Sequence, residues 1–202
     1  MTLQQHQLGD IATLTSGMNI SRGATANAET ISCSVISVGD LKNYDLPDLS
    51  ALSTAKLSDS DALLSRQARV GDVLLTSKGT AFKVAEVEAR TAGAIVSANL
   101  IIARPSDKIL PAVLSALLSS SRFEQRITML SRSTSRLLSI SIKDLSKIEI
   151  PVPPMPLQHK IADIIVSQRD AYRAAQKAMT ERSLIARQAV DDLLLEKNPI
   201  RK

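Results

Sequence analysis

A chain of 202 residues, 44% of them hydrophobic, can bury one ordinary core and carry an appendage, which excludes disorder along its whole length. Its single cysteine, Cys33, excludes an internal disulfide framework, and with no signal peptide or long apolar run the chain reads as cytoplasmic and soluble, without a membrane span. A net charge of +5 favours an acidic partner such as nucleic acid, while an aromatic content of 2% leaves no set of rings on which single-stranded bases could stack, so duplex DNA is the better match.

The first apolar lead, Leu8-Gly9-Asp10-Ile11-Ala12, ends at the turn-prone Ser16-Gly17. Residues 21–30 are rich in Gly, Ala, Asn and Thr and predict a surface loop with Arg22 as its basic residue. From Ile31 to Val38 apolar and hydroxyl residues alternate, the pattern of a half-buried strand, closed by Gly39-Asp40. Residues 45–60 read as a loop with at most a short helical turn. Val70-Gly71-Asp72 predicts a turn feeding a strand over 73–76, which empties into the small polar loop Ser77-Lys78-Gly79-Thr80. That loop lacks the G-x-x-x-x-G-K-[ST] spacing of a phosphate-binding loop, since Lys78 lies on the wrong side of Gly79. Lys83–Ala89 and Ala94–Ala103 predict two further strands.

Pro111–Leu118 predicts an apolar helix with proline in its first turn, and Ser121-Arg122-Phe123-Glu124 has the S-x-x-E form of a capping box opening a second helix. Residues 131–135 are Ser, Arg and Thr only, with Arg136 and two leucines following. Ser141-Ile142-Lys143-Asp144 repeats the capping pattern, and Lys147–Val152 reads as a last strand. Between Arg122 and Lys147 six basic residues stand against Glu124 and Asp144, so most of the excess charge is local. Hydroxyls and arginines on a short loop suit phosphate and base-edge contacts; a solvated helix face and an ordinary hydroxyl-rich turn are the plainer alternatives.

Four prolines between Pro151 and Pro156 predict an extended, stiff joint, because each lacks an N–H and fixes φ. Beyond it, residues 157–197 are helical in composition, too long to pack on one small domain, and residues 198–202 form a tail. The helix carries a heptad seam of Ile165, Tyr172, Met179, Ala186 and Leu193, with Gln168, Ala175, Arg182 and Ala189 interleaved. Gln168 and Arg182 interrupt it with polar groups that can fix register.

Catalytic chemistry is not legible. His6 and His159 lie far apart, one cysteine makes no metal cluster of usual spacing, and no G-x-G-x-x-G follows a strand. Asn198-Pro199 continues as Ile-Arg, unlike the Asn-Pro-Pro-aromatic motif of adenine methyltransferases.

Several segments resemble the DNA-specificity subunits of type I restriction-modification systems. Residues 70–80 look like that family's "GD-apolar-apolar-x-x-x-G-T" strand and loop, and Ser97–Pro105 and Leu110–Leu118 like the strand and helix that follow. Ser133-Thr134 with Leu137-Leu138 and Ser141–Leu145 resembles its later loop and short helix. The most specific piece is Ile148–Pro154 with Gln158, Ile161 and Ala162, similar to "I-x-I-P-x-P-P-x-x-x-Q-x-x-I-A". The chain departs from the pattern at Arg132, where glycine is common, and at Pro156 and His159, where acidic residues are usual.

The resemblance implies an α+β fold: a mixed-sheet target-recognition domain over residues 1–150, a proline-rich joint over 151–156, and a long C-terminal coiled-coil-forming helix over 157–197. Family members typically carry two such domains whose helices pair as a ruler between DNA half-sites. One joint and one helix imply half of that arrangement, completed by a homodimer on a bipartite palindromic site or, alternatively, truncated from a longer chain. The implied partners are double-stranded DNA, a methyltransferase subunit and, where the system has one, a restriction subunit. The chain itself is expected to be non-catalytic and to hold no cofactor, with S-adenosylmethionine on the methyltransferase subunit. Arg22, Ser77, Lys78, Thr80, Lys83, Arg132, Ser133, Thr134, Ser135 and Arg136 are the expected DNA-facing set, and Ile165, Tyr172, Ala175, Met179, Ala186 and Leu193 the expected dimerisation set. A coiled-coil interaction protein whose basic domain binds an acidic protein is the rival reading.

Overall fold

The computed structural model describes residues 3–20, 30–42, 45–58, 61–130 and 137–197. Contacts divide the chain into two units, Met1–Ala162 and Asp163–Lys202. In chain order the elements are β1 (Gln4–Gln7), α1 (Leu8–Ile11), β2 (Ala12–Ser16), β3 (Thr30–Ile36), β4 (Ser53–Ser58), α2 (Asp61–Ser65), β5 (Val73–Thr76), β6 (Lys78–Gly79), β7 (Val84–Glu86), β8 (Ile95–Val96) and β9 (Leu100–Pro105). They continue with α3 (Pro111–Leu118), α4 (Ser121–Leu130), β10 (Leu138–Ser139), α5 (Ile142–Ser146), β11 (Glu149–Val152) and α6 (Met155–Lys197).

The first unit is α+β. Its centre is an antiparallel sheet in the order β2-β9-β5-β7, and every residue of β5 is buried. Val73, Leu75, Ile101 and Ala103 face one apolar cluster that includes α3, α4 and α5, whereas Leu74, Ala85, Leu100 and Ile102 face a second. A sheet covered on both faces needs continuous apolar strands, which is why Val-Leu-Leu-Thr and Leu-Ile-Ile-Ala do not alternate. Each Leu or Ile so buried contributes about 1.5–3 kcal/mol. A second sheet, β4-β3-β8, packs Leu57, Ile95 and the partly buried Cys33 and Ala55 against Leu63. Two short pairs, β1-β11 and β6-β10, complete the strands.

Several sequence expectations need correction. Residues 53–58, expected within a loop, form β4, paired along the length of β3 from Thr30↔Ser58 to Val35↔Ser53. Ser, Thr and Lys dilute the apolar alternation there, and the pairing comes from β3 rather than from local propensity. The single strand expected over 94–103 is two: β8 runs parallel to β3, then a turn at 97–99 hands the chain to β9 in the other sheet. At that crossover a Cβ on Gly17 would lie 2.1 Å from the Ser97 carbonyl oxygen, so only glycine lets the segments pass. The cap of α4 is Ser120, not Ser121: the Phe123 N–H donates to the Ser120 hydroxyl at 3.3 Å. Ser141 does cap α5, accepting the Asp144 N–H at 3.1 Å.

The proline joint is shorter than its composition suggests. Pro151 lies in β11 opposite Gln5, and Pro156 in the first turn of α6, where a missing N–H costs nothing. Only Pro153 and Pro154 stand between strand and helix, and the Pro154 carbonyl accepts the Leu157 and Gln158 N–H groups at 2.8 and 3.1 Å. The compact domain reaches Ala162 rather than residue 150, because Ile161 and Ala162 pack against its core.

Considered by itself, the second unit is the remainder of α6, a helix of 43 residues in all and about 65 Å at 1.5 Å per residue. Among the described residues no helix is long and apolar enough to cross a membrane.

Candidate nucleic-acid interface

Two loops that lie more than fifty residues apart in sequence are joined by the smallest sheet of the domain. β6 pairs antiparallel with β10, setting Ser139 opposite Lys78 and Leu138 opposite Gly79. The Ile140 N–H then donates to the Ser77 carbonyl at 2.9 Å. The Ser-Lys-Gly-Thr loop and residues 138–140 are therefore one surface. A third piece joins them: Lys83 Nζ donates to the Val38 carbonyl at 3.3 Å, bringing the turn at 38–40 to the same place.

The expected DNA-facing residues divide by what the fold does with them. Lys78 and Thr80 are exposed, and their side chains have no hydrogen-bond partner among the described residues. A flexible ammonium and a hydroxyl in that state can serve phosphate oxygens. Ser77 is only 7% exposed, with its N–H on the Asn99 carbonyl at 2.9 Å and its hydroxyl donating to the Ala98 carbonyl at 3.4 Å. Lys83 is half-buried on Val38, and its N–H donates to the Thr76 hydroxyl at 3.2 Å. Ser77 and Lys83 thus engage backbone groups of the domain. Arg22, Arg132, Ser133, Thr134, Ser135 and Arg136 lie outside the described residues.

The motif residues themselves are scaffold. Gly71 takes a φ of +87°, a left-handed conformation that glycine adopts without strain. Asp72, 1% exposed, accepts the Arg69 N–H at 2.8 Å and a two-pronged pair from Arg104 Nε and Nη2, both at 2.8 Å. The hydrogen bond to Asp72 raises the Arg104 pKa above its ordinary value, against the opposing effect of burial. Sequence reasoning did not find this pair; an aspartate at the head of a buried strand and an arginine at the end of its neighbour were the available signal. Gln158 was also missed as a structural residue. It is 1% exposed; its Oε1 accepts the Leu110 N–H at 2.8 Å, and its Nε2 donates to the Lys108 and Pro153 carbonyls at 2.9 Å each.

On the helix, Ile165 is half-buried, while Tyr172, Ala175, Met179, Ala186 and Leu193 are exposed. Apolar exposure is not confined to the seam: Ile164, Leu184, Ile185, Val190 and Leu194 are all more than half exposed. Tyr172 accepts a hydrogen bond from Gln176 Nε2 at 3.1 Å, and Lys177 pairs with Glu181 at 4.0 Å.

Residues 2–174 match the family described as the type I restriction modification DNA specificity domain. Three solved structures resemble the fold. The HsdS subunit from Thermoanaerobacter tengcongensis is 18% identical, with a TM-score of 0.54 over 87% of this chain and 39% of that one. The S subunit from M. genitalium is 14% identical, with a TM-score of 0.60 over 98% and 51%. A chain from a study of complex assembly and conformational transition in the type I R-M system is 18% identical, with a TM-score of 0.56 over 96% and 45%. The present chain thus spans about half the length of these solved chains or less. No curated protein matches it.

Proposed function

The chain belongs to the family of type I restriction-modification DNA specificity domains, and from that premise we propose that it reads one half of a bipartite duplex-DNA site and carries a partner methyltransferase to it. The observation that supports the reading is the β6-β10 pair, which sets Lys78 and Gly79 opposite Ser139 and Leu138, strand residues that follow in sequence the stretch with Arg132 and Arg136. In this reading Lys78 and Thr80 contact phosphates, whereas Arg136, able to grip guanine with two parallel hydrogen bonds, reads bases.

In this reading the chain acts as a two-fold pair, with Ile165, Tyr172, Ala175, Met179, Ala186 and Leu193 in the seam between helices. The apolar residues off that seam, Leu184, Ile185 and Val190 among them, leave surface for a methyltransferase subunit, and a restriction subunit where the system has one. The chain is proposed to be non-catalytic, with S-adenosylmethionine bound by its partner.

Selection of bound duplexes from a random library at fixed salt tests the reading. The expected result is enrichment of two short conserved blocks related by a two-fold axis and separated by a constant spacer. Binding that discriminates no sequence, or that prefers an acidic protein to any duplex, overturns it.

A further inference from the structure

We infer that Arg182 of α6 seats on the ring face of Tyr172 in a second copy, and that this contact sets the register in which two such helices pair, head to tail; the inference rests on the proposed action of the chain as a two-fold pair. Arg182 occupies an interleaved position of the heptad seam, where apolar residues are the rule. A charge closed into such a seam is costly unless the partner helix receives it. Arg182 is exposed, and it has no hydrogen-bond or ion-pair partner among the described residues. Tyr172 lies on the same stripe and is 44% exposed. Its hydroxyl already accepts a hydrogen bond from Gln176 at 3.1 Å, so what it offers a partner is its ring. A guanidinium over an aromatic face is held by the ring's negative charge density, and its planar shape lets it stack there.

The composition of the other layers selects the same pairing. With Arg182 against the partner's Tyr172, heptad spacing in antiparallel helices sets Ile165 against Ala189, Gln168 against Ala186 and Met179 against Ala175. Each of these layers holds one long side chain and one small one, the combination that fills an interface without voids. A slip of one heptad loses this. In one direction Ala175 meets Ala186 and leaves a void; in the other Ile165 meets Arg182, which then has no ring to rest on. A parallel pair sets Arg182 against its own copy and makes layers of two alanines at Ala175, Ala186 and Ala189.

Register matters here because α6 runs unbroken from Met155 to Lys197. In the pairing described, the starts of the two helices stand roughly 65 Å apart along the pair at 1.5 Å per residue. A slip of one heptad changes that separation by about 10 Å, the length of about three base pairs of duplex. Arg182 is thereby a spacing-determining residue that touches no DNA.

The test is disulfide trapping in the full chain, with Cys33→Ser removing the native thiol. Chains carrying Gln168→Cys and Ala186→Cys, mixed and oxidised, are expected to give the mixed cross-linked dimer, and neither is expected to cross-link when oxidised alone. Cross-linking of Gln168→Cys to itself shows a parallel pair and overturns the inference while leaving the two-fold pair standing. A mixture that does not cross-link, although the wild-type chain sediments as a dimer, has the same meaning. Arg182→Gln is expected to weaken dimerisation by about tenfold, since the two-fold axis repeats the lost contact, and to weaken a Tyr172→Leu dimer by less than about threefold. Equal losses in the two backgrounds, or wild-type dimerisation in Arg182→Gln, overturn the contact. Circular dichroism confirms that each variant keeps its helix. A wild-type chain that is monomeric at micromolar concentration removes the two-fold pair itself, and the register with it.

Discussion

Gln158, the fourth residue of α6, accepts the backbone N–H of Leu110 at 2.8 Å, one residue before α3 begins. The same side chain closes on the Lys108 and Pro153 carbonyls, so one amide satisfies three backbone groups from two segments. Backbone groups that cannot form secondary structure must find other partners when buried, and each left unsatisfied costs about 1–3 kcal/mol. Gln158→Ala is accordingly expected to destabilise the domain by about 3 kcal/mol, and hydrogen exchange at the Leu110 amide should quicken. An unchanged melting curve with unchanged protection at Leu110 would show that the cross-link carries no stability.

Asp72 presents a different case, since its partner is a charge. Breaking a buried pair typically costs about 3–5 kcal/mol. Arg104, however, keeps 34% of its side chain in solvent and can rehydrate when left alone. Asp72→Ala is therefore expected to cost about 2–3 kcal/mol, lowering the melting temperature by about 5–10 °C. DNA preference should be unchanged in the fraction that remains folded. A shift in base preference, read by repeating the duplex selection with the variant, would mean that the turn at 70–72 touches DNA.

In the proposed interface, Lys78→Ala should weaken every duplex about equally and lower the salt slope by about one. Arg136→Ala should instead relax preference at one base pair, at a cost of about 1–3 kcal/mol for the preferred base. Binding isotherms on the selected duplex and its single-base variants separate the two. Equal, sequence-blind losses from both substitutions would remove Arg136 from base reading.

The arm makes its own prediction. With Met179 71% and Leu193 60% exposed, pairing of two helices has apolar surface to bury. The chain is expected to sediment as a dimer at micromolar concentration, and Met179→Glu as a monomer with the helix intact by circular dichroism. A wild-type monomer in that range removes the two-fold half-site arrangement.

Much of the architecture was legible because it is local. The buried strand at 73–76, the helices at 111–118 and from 121, the Ser141 cap and the long terminal helix each follow from pattern or capping chemistry. What was not legible is pairing. β4 exists because β3 lies beside it, and the break between β8 and β9 is set by two sheets competing for one segment. Nor was it legible which loop residues the fold engages: Ser77 and Lys83 bond to backbone carbonyls within the domain, while Lys78 and Thr80 are exposed. No local rule distinguishes these, since orientation depends on the Asn99 and Val38 carbonyls that arrive from elsewhere in the chain.

The hydrogen bond from Ile140 to the Ser77 carbonyl, together with the two-residue pair beside it, anchors the chain at 138–140, and α4 anchors it as far as Leu130. Both posts are fixed by core residues, Ile127 behind one and Ile140 in the other. Substitutions between the posts need not disturb either. In the proposed reading, a change of target preference between the posts leaves the core residues that fix them untouched.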